Sequence, residues 1–505
     1  MSGPDPAEDP TALHRLSATD ARQMIATGEL SPVELLEACL ARTDAVDPAV
    51  NAMVTRADER ARVEAQAAAD AVARGDEIGV LHGLPVAIKD LQATAEIVTT
   101  LGAVDRVDHV PDADSGIVAR VRAAGGIVLG KTNIPERSIG ANTVNRLFGA
   151  TGNPFDPDRS CGGSSGGSAV ALAAAMVPLA TGSDHGGSLR IPACFCGVVG
   201  HRATPGVVPF DERTITQTFY AVQGPMGRTV ADAALLMAAI TDRGVRPASG
   251  HIDPMAFPLD HSRFAALDAV DPASIRVGVS ADLGGVLVSE DVRRRFRDRV
   301  ERIAPLVGDV VEVPVDLRNA ADVDWRLRSD VFAVQYQHEA ATWDERFNPN
   351  IRATYDSALT TPMEVIAAGR RAQTELYQQF QAHFDQVDVI VTPGVSVAPF
   401  PWRELYPSTV DGVAVENYMA WLALSSGITV IGHPATALPC GVDDEGLPFG
   451  LQLIGPPYGD HRLLSIAAAL EQAFASDPAL ARPHPPEPVL ATARPDLIAD
   501  GRQVH

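Results

Sequence analysis

Basic side chains are in short supply: 41 Lys and Arg stand against 64 Asp and Glu, leaving a formal net charge of −23 over 505 residues. Such a surface repels phosphate backbones on average, and no basic run marks a local exception, so nucleic acid is excluded as an expected partner. Cysteine is sparse as well. The five (Cys39, Cys161, Cys194, Cys196, Cys440) are an odd set without zinc-ligand spacing, which predicts free thiols in a reducing compartment rather than a disulfide framework. Cys194 and Cys196 form a C-x-C, but no second His or Cys pair completes a site, so neither a metal nor another cofactor is expected. Long apolar runs are missing too. The stretch AVALAAAMVPLATG at 169–182 is too short and too proline-interrupted to span a bilayer. The acidic start MSGPDPAED has no apolar core of the kind a signal peptide needs. The expectation is a cytoplasmic protein without membrane contact, acting as a monomer or homodimer.

Present instead is the composition of a packed globular enzyme, with 46% apolar and 21% charged residues. Neither linker composition nor an internal repeat divides the chain. The organisation read from it is a tail at 1–10, one domain over 11–485 whose first part (11–75) is a helical layer, and a C-terminal tail at 486–505. Helices are expected at 16–25, at 31–40 and at 63–74, the second opened by Ser31, Pro32 and Glu34 as a capping box with proline in the first turn. Short apolar runs at 86–89, 126–129, 275–280, 310–313 and 387–392 predict buried strands, and 115–124 and 290–301 predict helices between them. Their alternation implies an α/β fold built on one large, buried sheet covered on both sides by helices.

Two glycine-flanked serine clusters carry the chemistry, GGSSGGS at 162–168 and SDHGGS at 183–188, and a lysine in GLPVAIKD at 83–90 precedes them. A serine hydroxyl is a weak nucleophile at neutral pH and needs a base for its proton and donors for the oxyanion that forms. A solvent loop would also be rich in Gly and Ser. Here the first cluster runs straight into AVALAAAM at 169–176, too apolar for an exposed helix, so its N-terminus, with free N–H groups, is pinned against the core. The cluster also satisfies G-x-S-x-G, but the preceding NPFDPDRS (153–160) is turn-like, whereas a nucleophile elbow needs a strand there and a late histidine such as His433 or His461. GGIVLGKT at 125–132 matches the phosphate-loop expression, yet Ile127, Val128 and Leu129 read as strand interior, which makes Lys131 a structural lysine. Lys89 follows Val86, Ala87 and Ile88, and burial of its stem would lower its pKa towards a neutral, proton-accepting amine.

With these motifs the chain resembles the amidase signature family. Lys89, Ser164 and Ser188 are 75 and 24 residues apart, like that family's spacing, and LGKTN (129–133), GPMGR (224–228), HPATAL (433–438) and GLPFGLQ (446–452) agree as well. The resemblance implies the amidase signature fold and an acyl-enzyme mechanism. It makes Ser188 the nucleophile and Lys89 the base. Ser164, held by a cis peptide to the preceding glycine, becomes the proton relay. It also implies an oxyanion hole from the N–H groups of His185, Gly186, Gly187 and Ser188, with Ser165, Asp184 and Arg190 in support. Two departures stand out. His185 occupies a position that is usually small or β-branched, and Arg202 and Ala203 replace a more usual lysine and proline.

The variable stretches 137–145, 214–220 and 400–406 are expected to shape the substrate pocket. Their aromatic and apolar content suits a neutral, hydrophobic or aryl amide, with an aryl carbamate close behind and ester cleavage as a side activity. The alternatives are the glutamine-hydrolysing subunit of a tRNA-dependent amidotransferase, or an inactive binding protein of the same fold.

Overall fold

The computed structural model describes residues 12–504, so the expected tail at 1–10 lies outside the described residues. The chain opens with helices α1 (Ala18–Thr27), α2 (Pro32–Val50) and α3 (Asp58–Arg74). Ser31 caps α2 as its sequence requires: its Oγ accepts the Val33 N–H and Glu34 accepts the Ser31 N–H at 3.0 Å, an arrangement contributing about 1 kcal/mol. A strand not foreseen in this layer, β1 (Met53–Arg56), pairs antiparallel with β3 and ties the layer to the sheet.

The sheet has eleven strands. In chain order they continue as β2 (Pro85–Lys89), β3 (Ile127–Thr132), β4 (Leu179–Asp184), β5 (Val199–Arg202), β6 (Val222–Gly227), β7 (Arg276–Val279), β8 (Asp309–Glu312), β9 (Val389–Pro393), β10 (Ala435–Val442) and β11 (Pro448–Ile454). Their spatial order is β1-β3-β2-β4-β6-β5-β10-β11-β9-β7-β8. The trio β3-β2-β4 is parallel, as is β9-β7-β8, and the remaining pairings are antiparallel, so the sheet is mixed. Every residue of β2, β3, β4, β5, β6, β9 and β11 is buried. Because alternate side chains leave a strand on opposite faces, this burial means that both faces are covered. At the far edge β8 is largely exposed and begins and ends on Asp309 and Glu312, charges that discourage further strand pairing.

The covering helices follow the strands: α4 (Gly116–Ala123), α5 (Gly166–Ala173), α6 (Arg190–Cys196), α7 (Val230–Ile240), α8 (Glu290–Ile303), α9 (Ala320–Tyr336), α10 (Pro349–Thr360), α11 (Met363–Gln381), α12 (Ala423–Val430) and α13 (Asp460–Phe474). All of α5 and α6 is buried, which explains why their sequences are apolar apart from Ser168 and Arg190, whose side chains find buried partners. The segment after 485 is packed where a tail was expected. It forms short helices at Glu487–Leu490 and Asp496–Ala499, buries Leu490 and Leu497, and is strapped down by Glu487 to Arg42 at 2.9 Å and by Arg494 to Asp158 at 2.6 Å.

Candidate active site

Parallel strands β2 and β4 are neighbours, with Val86 level with Leu179 and Ala87 with Ala180, so their C-terminal ends present Lys89 and Ser183 side by side. The crevice beyond the carboxyl ends of such strands is where open α/β sheets hold their ligands. Into this crevice comes the loop that opens α5. Its Gly163–Ser164 peptide is cis, the geometry that the family resemblance implies. Gly166 permits the approach, since a Cβ there would stand 2.1 Å from Thr143 Oγ1.

Lys89 is fully buried, and its Nζ lies 2.8 Å from Ser164 Oγ, 2.9 Å from Ser165 Oγ and 2.9 Å from Ser183 Oγ. Burial drives its pKa well below the ordinary lysine value, and the Asp184 carboxylate opposes that only in part. A neutral amine here, with two N–H donors and one lone pair, would donate to two of these hydroxyls and accept from the third. Ser138 Oγ also donates to Ser164 Oγ, at 2.7 Å. Ser138 and its neighbour Arg137 both have positive φ (65° and 53°), a strained backbone of the kind that collects at functional sites.

The loop between β4 and α6 hangs from one buried ion pair. Asp184 Oδ1 accepts from Arg190 Nη2 at 2.9 Å, and Oδ2 accepts from Arg190 Nε at 3.0 Å and from the Leu189 N–H at 3.1 Å. Burial alone would raise this carboxyl, but Arg190 and then Arg202 outweigh it and hold it far below the usual carboxylate range. Arg190 reaches on to Ser425 O (2.8 Å), Gln452 Oε1 (2.6 Å) and Thr429 Oγ1 (3.1 Å). Arg202, one of the two departures noted in the sequence, joins the network by donating to Asp184 O at 2.9 Å and to Tyr220 O at 3.0 Å.

Of the four N–H groups expected to form an oxyanion hole, that of Gly187 is already engaged: it donates to Asp184 Oδ1 at 2.9 Å. Those of His185, Gly186 and Ser188 have no acceptor among the described residues. Gly187 is needed for its backbone, with φ at 124° and a position where a Cβ would meet Ser425 Oγ at 2.3 Å. Ser188 lines a cavity of about 30 Å³ together with Ser138, Ile139, His185, Arg328, Tyr418 and Met419. The His185 ring stacks on Tyr220 at 5.5 Å, and burial, then Arg328 and Arg202, hold its pKa well below the ordinary histidine value. Tyr220 stacks in turn on Phe219, which lines a larger cavity of about 370 Å³.

The structure thus gathers Lys89, Ser164 and Ser165 into one hydrogen-bonded cluster and pairs Asp184 with Arg190 in a second one beside it, with Ser188 at the adjoining cavity. Sequence reasoning missed Ser183 and Ser138 as partners. Ser183 had a signal, being the first residue of the SDHGGS motif. Ser138 lies in the stretch 137–145 expected to shape the pocket, but nothing in the sequence reveals the left-handed turn that brings it to Ser164. The stretch 400–406 lies behind the site: Trp402 is buried, and its carbonyl oxygen accepts from Asn142 Nδ2 at 2.8 Å. The competing readings find other neighbours. Lys131 is buried in β3 with its pKa lowered to about 7 by burial, and it donates to Thr94 Oγ1 at 2.7 Å. His433 bonds Ile431 O and Gln381 Oε1, and His461 bonds Arg263 O. Burial pushes the Cys194 thiol up to about 12, and no cluster of three His, Cys, Asp or Glu placed to hold a metal occurs among the described residues.

The chain is similar to known proteins over most of its length. Residues 34–464 match the amidase family model. An acylamidase of Rhodococcus erythropolis is 32% identical over 468 residues, covering 91% of this chain and 95% of its own. A glutamyl-tRNA(Gln) amidotransferase subunit of Streptomyces coelicolor is 33% identical over 488 residues, with 91% and 96% covered. Among solved structures, a bacterial aryl acylamidase of the amidase signature enzymes superposes with a TM-score of 0.83 at 26% identity, covering 96% of this chain and 99% of that one. A 6-aminohexanoate cyclic dimer hydrolase follows with a TM-score of 0.78 at 27% identity, over 91% and 97%. This chain belongs to the amidase signature family and is an amide-hydrolysing enzyme.

Proposed function

We propose that the enzyme cleaves neutral, hydrophobic or aryl amides through an acyl-enzyme on Ser188, with Ser164 as proton relay and Lys89 as general base. The observation that carries this reading is the buried contact of Lys89 Nζ with Ser164 Oγ at 2.8 Å. A lysine surrounded by hydroxyls and kept neutral by burial can take a proton, whereas an ammonium could not. As Ser188 Oγ bonds to the carbonyl carbon, its proton passes to Ser164 and the proton of Ser164 to Lys89. The free N–H groups of the 185–188 loop face the developing oxyanion. When the C–N bond breaks, the same relay returns a proton to the departing amine. Water, deprotonated by that route, then frees the acid and restores Ser188.

Ile139, Ala141, Ile191, Met419 and Leu422 give the wall beside Ser188 its apolar character, which suits an uncharged acyl or aryl group. Aryl carbamates present the same carbonyl to the same nucleophile, and esters are easier acyl donors. The names of the acylamidase and aryl acylamidase relatives favour the amide reading. Five buried free thiols accord with a cytoplasmic enzyme, and no helix among the described residues is long and apolar enough to cross a membrane.

A second reading has its own support, because several relatives of about one-third identity are glutamyl-tRNA(Gln) amidotransferase subunits. In that role the site would release ammonia from glutamine for another protein of the complex. The net charge of −23 weighs against work on tRNA. A turnover panel of acetanilide, an aryl carbamate, a primary aliphatic amide, glutamine and a p-nitrophenyl ester decides between them. The proposal expects the anilide or carbamate to lead; glutamine as the sole substrate would replace it.

A further inference from the structure

The pocket beside Ser188 contains polar groups that the hydrolytic steps leave unused. Arg328 on α9 is 2% exposed, and its guanidinium is tied down on two sides. Nη1 donates to Tyr418 OH at 2.7 Å, and Nη2 donates to Asp324 Oδ2 at 3.1 Å. Its Nε is buried without a partner among the described residues. His185 borders the same pocket, and its Nε2 is likewise buried and unpartnered among those residues. The stack on Tyr220 fixes the imidazole, and Asp324 with Tyr418 fixes the guanidinium, so both nitrogens are positioned before any ligand arrives.

One kind of atom meets both needs. A guanidinium nitrogen only donates, and a neutral imidazole donates from Nε2 in one of its tautomers, so an accepting oxygen is the kind of atom that suits both. A substrate N–H could satisfy His185 alone and would face the Arg328 cation. We propose that Arg328 and His185 form a specificity subsite for a hydrogen-bond-accepting oxygen of the substrate, an ether, alkoxy or carbonyl oxygen lying beside the scissile amide. This rests on the reading of Ser188 as nucleophile, since its hydroxyl defines where the scissile bond sits.

Anilide pairs that exchange oxygen for methylene test it. Methoxyacetanilide against butyranilide places the oxygen on the acyl side, and 2′-methoxyacetanilide against 2′-ethylacetanilide places it on the amine side. Because an alkoxy group also alters carbonyl reactivity, the readout is the change in the oxygen-to-methylene ratio of kcat/KM on substitution. His185→Phe keeps the stack on Tyr220 and removes Nε2; it is expected to lower the ratio about tenfold in one of the two pairs, the size of effect expected for the loss of one neutral hydrogen bond. Arg328→Met exposes the other half of the subsite but leaves Asp324 buried, so a second readout needs no change at either residue. In the Ser188→Ala protein, where no chemistry intervenes, the oxygen member of that pair should bind about tenfold more tightly by calorimetry. Unchanged ratios in both pairs with His185→Phe, together with equal affinities within each pair for Ser188→Ala, overturn the subsite and leave the nucleophile standing. No turnover of any of the four anilides and no serine adduct overturn the nucleophile and the subsite with it.

Discussion

Lys89 Nζ and Ser164 Oγ are 2.8 Å apart inside the protein, and among the described residues no carboxylate shares that contact. An amine in this position loses its hydration without gaining a counter-ion, which is why its pKa falls. Acid therefore removes the base. The expected kcat/KM profile on a neutral anilide falls on the acid side through a single group titrating well below the usual lysine value, and is flat above that group's titration. A profile that rises only near pH 10 would show an ordinary, charged lysine in the resting enzyme.

Lys131 is buried as deeply and serves a different purpose. Lys89→Met should abolish rapid labelling of the protein by a serine-directed fluorophosphonate, whereas folded Lys131→Met should still be labelled. Lys131 has a second, thermodynamic signature. Its pKa is lowered to about 7 in the fold against 10.5 in the unfolded chain. Between those values the unfolded chain holds a proton that the native one lacks, so this group makes stability rise with pH across that window. Lys131→Met should reduce the slope of unfolding free energy between about pH 7 and pH 10 by about one proton. An unchanged slope would mean that Lys131 is not neutral in the fold.

Asp184 and Arg190 carry the 185–188 loop. Arg190→Leu would leave a buried carboxylate with only Arg202 beside it, and breaking such a pair from one side costs about 3–5 kcal/mol. Chemical denaturation should record a loss of that size. A loss under about 1 kcal/mol would show that Arg202 alone suffices.

Gly187→Ala tests the backbone of the same loop. The new Cβ would clash with Ser425 Oγ and Ile191 Cδ1 in a conformation with φ of 124°. Displacing the neighbouring N–H donors should lower kcat by about 10²-fold or more, with a smaller effect on KM. Normal turnover would place the oxyanion elsewhere.

Much of this was legible in the sequence, for identifiable reasons. Apolar runs such as Val86–Ile88 and Val389–Val391 read as strands because both of their faces are buried. The capping box at Ser31 and Glu34 is local chemistry, and it holds. What stayed hidden depends on tertiary context. Strand β6 contains Pro225 in the middle of the sheet, opposite Thr181, a placement that strand propensity argues against. Strands β4 and β5 end in Ser183, Asp184, His201 and Arg202, polar residues that are buried only because a network of partners receives them. Within the site, motif spacing picks out Lys89, Ser164 and Ser188. The engagement of the Gly187 N–H by Asp184 and the bond from Ser138 to Ser164 exist only in three dimensions.

The most direct measurement is peptide mapping of the protein after reaction with a fluorophosphonate, alongside anilide turnover by Ser188→Ala. A nucleophilic Ser188 activated through Lys89 should give one covalent adduct, on Ser188, formed orders of magnitude more slowly in Lys89→Met, and turnover by Ser188→Ala should fall by several orders of magnitude. An adduct on another serine, or near-normal turnover by Ser188→Ala, would contradict that mechanism.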